Sequence, residues 1–377
     1  MNDDRLDHLD AMRGICALLV VFYHLRRYTF DSYASFPHAT LFDKLVAWAA
    51  IHGHNAVMAF FVLSGFFITR SAVMSRSSAG GFSLLDYGVK RLSRLWLVLL
   101  PCLVATFVLD RISTEFGADR DFAASTTSVA IFVGNVFFLQ TILVPMFGSN
   151  SPLWSLAYEG WYYLMFGLGF FIWTRARDNL HGAIFCGILL VASAAFVGTT
   201  ILEYGLVWLL GSAAFLISRR QFHLGLPKGL LVSGLLAAIF VVTYYLPKHP
   251  AYQFEFDLLL GLVIAALVVL LSGMPVRNRL YRGIAAALGR TSYTVYLAHY
   301  PFLVAAAVIF LRLQKLPNDL HGYAVFAALG LATLIWCVLV YFAAEHHDRR
   351  VRRWALRTVR GWRAPAFSAP KKPSVGA

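Results

Sequence analysis

Arg13 and His24 sit inside one apolar segment, LDAMRGICALLVVFYHL. Eleven helical steps turn about 1100°, within about 20° of three whole turns, so both side chains share one face, about 16 Å apart along the axis. A guanidinium at the centre of a bilayer costs roughly 2.5–3.5 kcal/mol on insertion scales. A chain keeps such a group for a site, a water-filled path or a buried partner. The bland alternative is an arginine that snorkels to one interface and a histidine that caps the far end of the helix. Arginine offers anion binding and imidazole offers proton transfer near neutral pH.

Four more segments carry polar groups in apolar surroundings. In KRLSRLWLVLLP, Arg91 and Arg94 are i, i+3 and project from one helix face. They serve either as topogenic charge or as a clamp that grips phosphate bidentately. In AFFVLSGFFITR, Ser64 and Gly65 interrupt an aromatic run. Such small residues permit close helix packing, or leave a gap for a ligand near the backbone. SPLWSLAYEGWYYL holds Ser155 and Glu159 at i, i+4, and an intramembrane carboxylate calls for a partner, His24 or an arginine. GRTSYTVYLAHYPF sets Ser292, Tyr296 and His299 on one helical face, for packing or for chemistry. Glu345, followed by His346 and His347, closes the last apolar run and is placed to pair with a basic residue. His52 and His54 have the form of a metal-ligand pair, but no second cluster accompanies them, so no metal is expected. The sequence contains no P-loop, GxSxG or HExxH pattern and no GxGxxG in a suitable context.

These residues need helices to position them. The chain is 59% hydrophobic and only 14% charged, against about 25% charged in soluble domains. About eleven apolar runs, each about 15–21 residues, are long enough to cross roughly 30 Å of hydrocarbon. The expectation is an all-α integral membrane protein. One integral domain covers 1–345, and a basic cytoplasmic tail covers 346–377. The net charge of +14 gathers in that tail and in short loops, which fits the positive-inside rule and points away from nucleic acid. Cys16, Cys102, Cys186 and Cys337 fall in separate apolar runs and read as small buried hydrophobes. The acidic start, MNDDRLDHLD, does not read as a cleavable signal.

Topology follows from parity. Loops 70–94 and 174–180 are both basic, yet three apolar runs separate them. Two cytoplasmic loops require an even number of crossings, so one run does not cross. The weakest is 129–147, with Asn135, Gln140 and Pro145 inside it, and it is expected to be re-entrant. About ten transmembrane helices remain. Both termini are then cytoplasmic, with Arg13 toward the cytoplasm and His24 toward the outside. Arg26 and Arg27 argue locally for the opposite orientation.

Taken together, the LDAMRGICALLVVFYHL opening, FFVLSGFFITR, the arginine pair in RLSRLW, LWSLAYEGWYY and LGRTSYTVYLAHYPF resemble the membrane acyltransferase-3 family of O-acyltransferases. The five segments occur in the family's order over nearly the whole chain. The resemblance implies a ten-helix core in a plasma (bacterial inner) membrane, in the form that lacks a C-terminal hydrolase-like domain. It implies transfer from a cytoplasmic acyl-CoA, usually acetyl-CoA, to a hydroxyl, often on a saccharide that can be lipid-linked. It marks Arg13, His24, Arg91 and Arg94 as functional, and Glu159, Ser64 and His299 as lying in matching segments.

The expected mechanism places donor phosphates on Arg91 and Arg94, with Ser64 nearby. His24 acts as general base on the acceptor hydroxyl or carries the acyl group. Glu159 orients His24, and Arg13 stabilises developing negative charge. Ser155, Tyr296 and His299 are candidates for acceptor contacts or for support of the catalytic groups. No metal is expected. Membrane lipid, acyl-CoA and the saccharide are the expected partners, with a homo-oligomer left open. A proton-coupled transporter is the competing class, because intramembrane His and Glu also build proton relays. Within the family, acylation of a macrolide-like small molecule is a second alternative.

Overall fold

The computed structural model describes residues 6–31, 39–77, 81–220, 227–245 and 252–361. The described residues fold as helices joined by turns, with only isolated bridges such as Phe30 to Leu316 in place of a sheet. In order these are α1 (Asp7–Thr29), α2 (Leu41–Ala50), α3 (Gly53–Arg76), α4 (Leu84–Glu115), α5 (Arg120–Thr126), α6 (Val129–Val136), α7 (Leu153–Arg175), α8 (Leu180–Ser218), α9 (Lys228–Tyr245), α10 (Gln253–Ser272), α11 (Arg279–Leu311), α12 (Leu320–Ala343) and α13 (Asp348–Gly361). Seven helical stretches among the described residues are long and apolar enough to cross a membrane. The all-α membrane architecture expected from composition is therefore present. α7 is not among the seven, and its sequence holds Ser155, Glu159 and several tyrosines.

Side-chain caps set many of the starts. Ser83 caps α4 by accepting from the Asp86 N–H, Asn278 caps α11, and Asp319 caps α12. Thr40 and Asp43 form a reciprocal capping box at α2, in the connection between α1 and α3. Residues 32–38 of that connection lie outside the described residues.

α8 consists of two helical halves that join at Gly198, where the backbone leaves helical geometry. Gly198 has φ +79° and ψ 172°, a conformation that a side chain strongly disfavours. The chain reverses there. Phe196, before the break, stacks near Trp161 of α7, and Leu190 lies deeper, beside Met165 and Gly169. After the break, Tyr204 meets Tyr158 and Trp208 meets Phe166. The first half thus runs against α7 and the second half runs with it.

The weak run at 129–147 does not make a spanning helix. α6 has eight residues, about 12 Å of rise, and an irregular segment follows it to α7. The polar residues that weakened this run tie the segment down. Asn135 is fully buried, donates to the Ile131 and Pro145 carbonyls, and accepts from the Phe147 N–H. Gln140 donates to the Leu153 carbonyl, and the indoles of Trp96 and Trp161 donate to the Val136 and Phe138 carbonyls. Irregular backbone in an apolar surround needs such partners.

α1 and α11 form the most extensive helix pair. A Cβ on Gly14 would lie 2.2 Å from that of Leu288, and one on Gly289 would lie 2.7 Å from that of Asp10. The two backbones therefore meet closely only because both positions are glycine. Along this seam Gly14 faces Leu288 and His24 faces His299, so the helices run in parallel. α3 runs the other way, with Gly53 against Tyr23 and Phe67 against Arg13.

Candidate active site

Helices α1, α3, α4, α7 and α11 surround a narrow cavity that is partly open to solvent. Three guanidiniums line it: Arg13 from α1, and Arg91 and Arg94 from α4. Arg13 is held by the Phe67 ring, 5.5 Å from the guanidinium, and by a long contact of 3.7 Å to Asp10. Arg91 donates to the Ser71 hydroxyl at 2.6 Å and lies 5.6 Å from the centre of the Tyr87 ring, while its Nε is buried without a partner. Arg94 makes no hydrogen bond or ion pair to any described residue. Positive charge held this way in a cavity has the chemistry to receive an anion.

Glu159 faces the same cavity. The expectation that it pairs with His24 or an arginine is not met. Its Oε1 accepts from the Ser64 hydroxyl at 2.7 Å and from the Tyr163 hydroxyl. Tyr163 is one turn along α7, and the Trp208 indole donates to Ser64 at 3.2 Å. Among the described residues no carboxylate hydrogen-bonds to His24, so the Glu159–His24 relay does not form. The two readings of SGFF divide between neighbours. Gly65 serves packing, since a Cβ there would sit 2.0 Å from the Trp208 carbonyl oxygen, whereas Ser64 lines the cavity.

His24 lies outside this cavity, in a cluster of rings. Tyr23, Tyr300 and His299 stand 4.8, 4.6 and 5.2 Å from it, centre to centre. His299 is fully buried, and its Nδ1 is 2.9 Å from the Val295 carbonyl. A carbonyl only accepts, so Nδ1 carries the hydrogen and Nε2 presents a lone pair. That Nε2 is buried without a partner, as is Nδ1 of His24. The Tyr28 and Tyr300 hydroxyls, 3.0 Å apart, border the cluster.

α11 connects the two places. Ser292 and Tyr296 line the arginine cavity, and one turn further His299 meets His24. The Tyr296 and Ser155 hydroxyls are 2.6 Å apart, between cavity and histidines. The i, i+4, i+7 face read from the sequence thus spans the gap.

Glu345 accepts from the Thr294 hydroxyl at 2.5 Å and lies near Arg94 and Arg13 without forming an ion pair with either. His54 pairs with fully buried Asp257 of α10 at 2.8 Å, and the Tyr204 hydroxyl shares that carboxylate. His52 instead meets Asn55 at 3.0 Å. Among the described residues no group of three or more His, Cys, Asp or Glu could hold a metal ion.

A family model described as an acyltransferase domain, acyltransferase-3, matches residues 6–342. The chain belongs to this acyltransferase family. "Putative peptidoglycan O-acetyltransferase YrhL" of Bacillus subtilis (strain 168) is 24% identical over 398 aligned positions, which cover 93% of this chain. The chain spans 55% of the length of that relative. No solved structure matches the chain.

Sequence reasoning missed several residues of the acyltransferase cavity and its surroundings. Tyr163 is i+4 from Glu159, a spacing that could have flagged it. Tyr293 lines the cavity and donates to the Leu95 carbonyl, although the heptad-like face chosen on α11 excludes it. Asp110 of α4 is buried and accepts from the Ser149 N–H at 2.7 Å. Asn150 donates to the Leu297 carbonyl and the Thr106 hydroxyl. The Asp110 contact needs Gly148, at φ +54°, where a Cβ would meet Asp110 at 2.1 Å, and no helical periodicity signals such a loop contact.

Proposed function

We propose that this protein is an O-acyltransferase that moves an acetyl group from cytoplasmic acetyl-CoA to a hydroxyl of an envelope saccharide. The observation that carries this reading is the convergence of Arg13, Arg91 and Arg94 on one cavity within an acyltransferase domain. Three guanidiniums with so little internal neutralisation suit the diphosphate of a CoA thioester. Arg13 belongs with the donor phosphates in this reading, rather than with the reacting carbonyl. The pantetheine arm would run past Tyr296 toward His24.

At His24 the acceptor hydroxyl gives its proton to the imidazole as its oxygen attacks the thioester carbonyl carbon. The C–S bond then breaks, and the departing thiolate takes up the proton. Alternatively the imidazole nitrogen takes the acyl group first and passes it to the hydroxyl; the same atoms balance in two steps. His299, with its hydrogen committed to the Val295 carbonyl, is a positioning residue for His24. Glu159, tied to Ser64 and Tyr163, shapes the cavity floor and limits its positive charge. The relative's printed name, a peptidoglycan O-acetyltransferase, supports a saccharide acceptor.

We place about ten crossings in a plasma membrane, counting α8 as two, with Arg13 on the cytoplasmic side and both termini cytoplasmic. The parallel course of α1 and α11 and the opposite course of α3 agree with that order. Labelled acetyl-CoA, the purified protein in nanodiscs and a peptidoglycan fragment test the reading. Acetyl-CoA binding with label appearing as an alkali-labile ester is expected. A protein that binds no CoA, or that moves protons without acetyl transfer, overturns it.

A further inference from the structure

The last helix brings another charge close to α4, which carries Arg91 and Arg94. α13 packs along α4, and the short turn Glu345–His347 that precedes it also touches α4. The sequence reading treated this region as a basic tail; here 348–361 form a helix with a fixed neighbour, while 362–377 lie outside the described residues. On these packed helices, two residues of α13, one turn apart, lie within electrostatic reach of two residues of α4, also one turn apart. Asp348 acts electrostatically on Arg94, and Arg352 acts on Arg91. The match is antiparallel. It places Arg352 toward the Arg91 end of the Arg91–Arg94 pair.

Like charges beside each other repel, so this arrangement is costly unless an anion lies between them. Arg352 is only loosely held by the protein itself. Its contact to Asp348 is 3.9 Å, at the edge of an ion pair, and its side chain is 40% exposed. Asp348 does not use its Oδ1, which is buried without a partner. Positive charge therefore continues past the cavity lining of Arg13, Arg91 and Arg94 to Arg352 on the neighbouring helix. A single phosphate does not need such a ladder. A ligand with a second phosphate, set apart from the first group, does.

We infer that Arg352 binds the phosphate monoester on the ribose of the CoA donor, while Arg91 and Arg94 hold its diphosphate. This inference rests on the CoA reading above. It makes α13 part of the donor site and predicts that the enzyme distinguishes nucleotides by that monoester.

The test is the affinity of the full-length protein in nanodiscs for CoA and for 3′-dephospho-CoA, which lacks only that group. The wild type is expected to bind CoA about fivefold more tightly. Arg352→Gln should lose that preference by weakening CoA alone. Arg353→Gln removes the same charge from an exposed position on the same helix and should keep the preference. Should the Gln variant fail to fold, Arg352→Lys carries the test, because a point charge without the guanidinium fork should leave an intermediate preference. An Arg352 variant with the full wild-type preference overturns the inference. So does a wild type that binds both nucleotides equally, although that outcome leaves the CoA donor standing. A wild type that binds neither nucleotide sinks the donor reading as well.

Discussion

At its Arg13 end, the polar face of α1 meets charge; at its His24 end, the same face meets rings. The first region is a cavity with three guanidiniums, one carboxylate and a path to solvent. The second is packed with Tyr23, Tyr300 and His299, and no carboxylate hydrogen-bonds to its histidine among the described residues. A charged phosphate group requires the first environment. A step that needs an imidazole free to accept a proton or an acyl group is better served by the second, where unpartnered ring nitrogens remain. On the proposed reading one helix serves two tasks, and substitutions should separate them.

The largest separation is expected at His24→Ala. Acetyl transfer should fall by about 10²–10⁴-fold while CoA affinity stays within about twofold. Equal loss of both, measured by ester formation and by calorimetric titration with CoA, would merge the two regions into one site. Arg94→Gln is the mirror experiment. Losing a charged hydrogen-bond donor worth about 1.5–3 kcal/mol should weaken CoA binding roughly 10- to 100-fold and leave turnover at saturating donor nearly intact. His299→Phe should slow transfer about tenfold through His24, again with unchanged CoA affinity. His299→Gln, whose amide can still accept at that end, should recover part of the loss. Gly14→Ala is the least selective. The added methyl would press α1 away from Leu288, cost about 1–3 kcal/mol of stability and lower the melting temperature by a few degrees. It should impair binding and transfer together, because it lies between the two regions on their common seam.

Much of this arrangement was readable in the sequence where helical periodicity governs it. The shared face of Arg13 and His24, the Arg91–Arg94 pair and the Ser292–Tyr296–His299 stripe all follow from 3.6 residues per turn. The failure of 129–147 to make a spanning helix was legible through Asn135, Gln140 and Pro145, which suit a loop better than a spanning helix. Contacts between distant segments were not legible. Nothing local in YEGWYY says whether Glu159 reaches His24 or Ser64, since the answer depends on how α3 and α7 pack. The reversal at Gly198 and the docking of α13 on α4 are likewise set by tertiary neighbours. The Asp110–Ser149 and Thr106–Asn150 bonds form beside a glycine turn that has no period at all.

The close α1–α11 seam has a consequence for the enzyme in bilayers of different thickness. A protein meets hydrophobic mismatch largely by tilting its helices. Since Arg13 and His24 ride on one rod, and His299 on a second rod locked to it at Gly14 and Gly289, tilt changes their depth but hardly changes their spacing. The distance over which the donor must reach is a property of helical rise, about 1.5 Å per residue, and is insulated from the lipid.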